Sequence, residues 1–114
     1  MVNTMQQEPV DMQALAELRE IMGDDFNQLI SVFITDSEKR LSDLHAAINT
    51  HNAAQVRAVA HSFKGSALNL SASGLTQLCR MLETMGREEK LEGAAEVLVR
   101  IEAEFARVQQ YLLA

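Results

Sequence analysis

The sequence predicts an all-α fold: an antiparallel up-down four-helix bundle with a short additional N-terminal helix. Three observations point there. A single proline and five glycines leave few interruptions in 114 residues. Aromatic residues make up only 4%, with no tryptophan, so strand-forming residues are few. Apolar residues recur at three- and four-residue spacing in four successive long segments, each of which must bury one face. Antiparallel packing through short loops satisfies all four together.

Residues 1–10 read as a flexible leader ending around Pro9, followed by one domain over 11–114. Asp11 is a good N-cap for a first short helix, MQALAELREIM, which Gly23 stops. Asp24 or Asp25 then starts a long helix to about Thr50, with Phe26, Leu29, Ile30, Phe33, Leu41, Leu44 and Ile48 on its apolar side. Asn52, with Gln55 three residues on, has the spacing of a capping box and opens a third helix over about 53–70. Val56, Val59, Ala60, Phe63, Ala67 and Leu70 form its buried stripe. SASG makes a turn capped by Ser71 or Ser73. Helix four carries Leu75, Leu78, Leu82 and Met85 and ends near Gly86. REEKLEG is a polar connection, and a last helix spans about 91–113.

The formal net charge is −6, and Lys39-Arg40 is the only adjacent basic pair, so an electrostatic footprint for nucleic acid is missing. No segment approaches the roughly 18 apolar residues of a membrane span, and the start lacks the basic and apolar regions of a signal peptide. One cysteine excludes an internal disulfide. These features suit a cytoplasmic protein. Cys79 lies next to the apolar stripe of helix four and reads as a buried structural thiol. No helix carries E-x-x-H or H-x-x-x-H, so no metal site is expected.

The third helix contains AHSFKGSALNL at 60–70, with a glycine in mid-helix. That glycine costs about 0.5–1 kcal/mol relative to alanine. Away from the apolar stripe, Arg57, His61, Lys64/Gly65 and Leu68 fall in one row. Imidazole is nucleophilic and largely neutral near pH 7, so it can accept a phosphoryl group. Lys64, at i+3, can bring an ammonium to the oxygens that such a group carries. Gly65, at i+4, leaves the approach to the histidine uncrowded, as in-line transfer requires. His45 and His51 have no such neighbours and read as surface residues.

His61-Ser62-Phe63-Lys64-Gly65-Ser66 resembles the H-x-x-K-G-[SA] signature of histidine-containing phosphotransfer (HPt) domains. Ala60, Asn69-Leu70, LCRMLE and the upstream MGDDFNQLISVFITDSEKRLSDL extend the resemblance over roughly residues 11–112. It implies that His61 is phosphorylated at Nε2, that Lys64 offsets phosphoryl charge, and that Gly65 gives access. Such domains commonly supply a Gln or Glu from helix four that accepts the Nδ1–H bond, and an ungapped count places Glu83 there. Many members have glycine after the Asn-Leu pair; this chain has Ser71, and its next glycine is Gly74.

The resemblance further implies a stand-alone phosphorelay intermediate. Its partners would be the receiver domain of a hybrid sensor histidine kinase and that of a response regulator, with Mg²⁺ belonging to the receivers. Arg57, Ser62 and Leu68 are the expected partner-binding residues around His61. The chain itself has no Gly-rich nucleotide loop, needs no cofactor on this reading and acts as a carrier, not a kinase. A monomer is the default. The alternative is a helical adaptor that docks on a receiver or kinase domain without carrying phosphate. An enzyme acting on a small substrate ranks last, because no acid, base and nucleophile converge in the sequence.

Overall fold

The computed structural model describes residues 8–114. Five helices follow one another: α1 (Met12–Met22), α2 (Asp25–Asn49), α3 (Ala53–Asn69), α4 (Ser73–Arg87) and α5 (Ala94–Leu113). No strand occurs among the described residues. Helices α2 to α5 form the bundle, and α1 packs at the end where α3 turns into α4. Residues 1–7 of the expected leader fall outside the described residues. Pro9 and Val10, at its end, are buried, and the Asp11 N–H donates to Ser71 O at 3.0 Å. Pro9 and Val10 therefore belong to the packed domain.

Local chemistry sets most boundaries. The Asp11 carboxylate accepts from the N–H groups of Gln13 and Ala14, and Gly23 closes α1 with φ +59°. Asn52 accepts from the Gln55 N–H at 3.1 Å and starts α3. Neither expected serine caps α4: Ala72 occupies the N-cap and Ser73 is already helical. Helix α5 begins at Ala94, three residues later than its apolar spacing predicts. Gly93 takes φ +86°, a left-handed conformation that an α-helix cannot include, and leaves Leu91 in the connection.

Phenylalanines from three helices meet in the core. Phe105 on α5 lies 6.0 Å from Phe33 on α2 and 6.4 Å from Phe63 on α3, centroid to centroid. Val56, Ala60, Phe63 and Ala67 are fully buried at the i, i+4, i+7, i+11 spacing of one helix face. This face fixes the rotation of α3 about its axis, so positions 57, 61 and 68 face outward.

The α3–α4 pair approaches most closely, and Gly86 is the reason. A Cβ added there would lie 2.6 Å from Arg57 N and 2.8 Å from Ala53 O, both backbone atoms. Gly86 therefore lies inside α4, packed on α3, and α4 ends one residue beyond it, at Arg87. The buried face of α4 runs through Leu75, Thr76, Cys79, Leu82, Glu83 and Gly86, while Leu78 and Met85 sit at its margin. The face is rotated toward α3 relative to the predicted stripe. Burial pushes the Cys79 thiol up to about 12, in keeping with a structural residue.

Candidate functional site

The rotation of α4 aims Glu83 at α3. His61 Nδ1 lies 2.8 Å from Glu83 Oε2, and Lys64 Nζ lies 2.7 Å from Glu83 Oε1. One carboxylate thus joins two side chains that stand one turn apart on the neighbouring helix. Its side chain is 10% exposed, against 68% for His61 and 24% for Lys64. The Lys64 ammonium holds the Glu83 carboxyl below the ordinary glutamate range, with the His61 bond assisting and burial opposing. An ionised carboxylate only accepts hydrogen bonds, so the shared proton belongs to Nδ1. Nε2 has no hydrogen-bond partner among the described residues, on a side chain that is mostly exposed.

Lys64, expected beside the open nitrogen, is instead folded back onto Glu83. Gly65 is exposed, and nothing stands within 4 Å of where its Cβ would be. Leu68 is 62% exposed, one turn beyond Lys64 in the same row. Ser62 is exposed at the edge of a shallow groove toward α2 that Lys39, Arg40 and Asp43 also line.

Sequence reasoning missed three groups here. Arg40 on α2 donates from Nη1 to Ser66 Oγ at 3.0 Å, tying α2 to the motif helix. Arg87, one turn after Glu83, lines a groove with His61, Arg57 and His51. Gly86 forms part of the same groove, and its lack of a side chain brings α4 close enough for Glu83 to reach His61. A small residue at i+7 from Cys79 was the available signal for that approach.

The open groove beside His61 has a volume of about 1090 Å³ and extends toward the start of α3. Of the other histidines, His45 pairs with Glu102 across α2 and α5 at 2.8 Å, and His51 occupies the α2–α3 turn with φ +54°. Among the described residues no three His, Cys, Asp or Glu side chains gather as a metal site would need, and no helix is long and apolar enough to cross a membrane.

The family model described as "Hpt domain" matches residues 28–111. The crystal structure of histidine-containing phosphotransfer protein B (HptB) from Pseudomonas aeruginosa PAO1 is similar at 38% identity, with a TM-score of 0.88. The match covers 91% of this chain and 90% of that one. A search of curated proteins returned no significant match.

Proposed function

Because the chain belongs to the Hpt domain family, whose members carry phosphoryl groups in two-component phosphorelays, we propose that His61 is its phosphoryl-accepting residue. The donor is a receiver-domain aspartyl phosphate of a hybrid sensor kinase, and the acceptor is the receiver aspartate of a response regulator. The observation that carries this reading is an imidazole anchored through Nδ1 by a buried carboxylate and exposed at Nε2.

The chemistry follows from that arrangement. The Nε2 lone pair attacks phosphorus, the P–O bond to the aspartyl carbonyl breaks, and its electron pair leaves on the carboxylate oxygen. The ring keeps its Nδ1 proton and becomes a phosphoimidazolium whose positive charge faces the Glu83 carboxylate. Delivery to the second aspartate reverses each step. Glu83 fixes the tautomer and the ring orientation, as a carboxylate does for imidazoles in other sites. The open space over Gly65 admits the partner's active-site edge, and Ser62 and Leu68 belong to the contact surface. In this scheme the protein is a cytoplasmic, monomeric carrier with no kinase activity of its own.

The test is transfer from a radiolabelled phosphorylated receiver. Wild-type protein takes up label and His61→Gln does not; equal labelling of the two would end the proposal.

A further inference from the structure

Lys64 already has a partner in Glu83. Its ammonium lies 2.7 Å from Glu83 Oε1 and its side chain is three-quarters buried, so much of its reach is spent on that carboxylate. Arg57 has no such commitment. It stands one turn before His61 on α3, is exposed, and makes no side-chain hydrogen bond or ion pair among the described residues.

Two further facts bring Arg57 to the reacting nitrogen. Residues at i and i+4 on a helix have Cβ atoms about 5–6 Å apart, within the reach of an arginine. Helical side chains also lean toward the helix N-terminus, so the His61 ring overhangs the turn that carries Arg57. Both residues line the same groove.

We propose that Arg57 is a cation that binds the phosphoryl group on His61, through paired guanidinium hydrogen bonds to two of its oxygens, while Lys64 keeps its bond to Glu83. The proposal rests on His61 being the phosphorylated residue. A planar fork of donors suits phosphate better than a single ammonium, and reaching it requires only ordering of an otherwise free side chain. The other charged or titratable groups facing the site are Glu83 and Lys64, with His51, Arg87 and Glu89 farther along the groove.

The experiment removes the partner, so that docking cannot mimic phosphate binding. The full chain is phosphorylated with phosphoramidate: Nε2 attacks phosphorus, the P–N bond breaks, and the zwitterionic donor releases ammonia. The ³¹P resonance of phosphohistidine is then titrated in wild type, Arg57→Gln, Arg57→Lys and Lys64→Gln. Losing a cation bonded to the phosphoryl oxygens raises their proton affinity. The expected upward shift in Arg57→Gln is about half a unit, roughly threefold, with Arg57→Lys intermediate and Lys64→Gln shifted less. A purely structural role for Arg57 would leave this midpoint unmoved. Label on His61 with an Arg57→Gln midpoint equal to that of wild type overturns the assignment of Arg57 alone. Wild-type protein that takes no label at His61 overturns the underlying reading and this one with it.

Discussion

His61 on α3 and Glu83 on α4 are 22 positions apart in sequence and 2.8 Å apart in space, nitrogen to oxygen. The carboxylate also holds Lys64, so one residue sets both the tautomer of His61 and the position of its nearest lysine.

Glu83→Gln separates these two tasks. The amide still offers Nδ1–H an acceptor, but it faces the phosphoimidazolium without charge and releases Lys64. Transfer is expected to slow by roughly tenfold, as for other oriented imidazoles that lose their carboxylate. Glu83→Ala removes both bonds and should cost about 1–2 kcal/mol of stability besides. Label transfer from a phosphorylated receiver and urea unfolding report the two effects; an unimpaired transfer rate in Glu83→Gln would show that charge on this residue is irrelevant.

The depressed pKa of Glu83 makes part of the stability depend on pH. Above the usual glutamate value of about 4.3 the carboxylate is ionised folded or unfolded, and its bonds stabilise the fold fully. As pH falls below that value the unfolded chain takes up the proton first, and the contribution shrinks. It is gone once pH has dropped through the lower, folded-state value. Urea midpoints measured from pH 7 down to pH 3 should fall more steeply for wild type than for Glu83→Gln. Parallel curves would contradict the linkage.

Two glycines of the site should respond oppositely to alanine. At Gly65 the methyl meets nothing within 4 Å, so Gly65→Ala should stabilise by about 0.5–1 kcal/mol through helix propensity. At Gly86 it meets the α3 backbone at 2.6 Å, and the overpacking should destabilise by about 1–3 kcal/mol. Thermal unfolding compares the pair directly. Gly65→Gln, bulkier over the open approach, should leave the fold intact and slow transfer.

Ser71 occupies the position where glycine follows the Asn-Leu pair in many related domains, and its φ is +57°. Left-handed backbone costs a residue with a Cβ about 1–2 kcal/mol. Ser71→Gly should therefore raise stability by about 1 kcal/mol without touching the carbonyl that accepts the Asp11 N–H. A lower melting temperature in this variant would mean that the serine side chain makes a compensating contribution.

Much of this architecture was legible in the residues because local chemistry dictates it. Asp11, Gly23 and Asn52 mark helix ends through caps that need only their neighbours. The row at 57, 61 and 68 follows from spacing alone. Glu83 was reached only through the family resemblance, since a glutamate on a helix carries no mark of being turned inward. What turns it is the close approach at Gly86, a property of two helices and not of one. The Arg40–Ser66 bond spans 26 positions and likewise leaves no local trace. The pairing of Lys64 with Glu83 also depends on the rotation of α4, so the signature alone does not show it.

Phe63 is only two residues from His61, yet its ring is sealed against Phe105. A turn of α3 by a single position would carry the imidazole a quarter of the way around the cylinder, off its carboxylate anchor. The aromatic wedge therefore acts as a dial stop for the imidazole. Damage deep in the hydrocarbon interior will surface as a misplaced imidazole in a molecule whose His61 ring is chemically untouched.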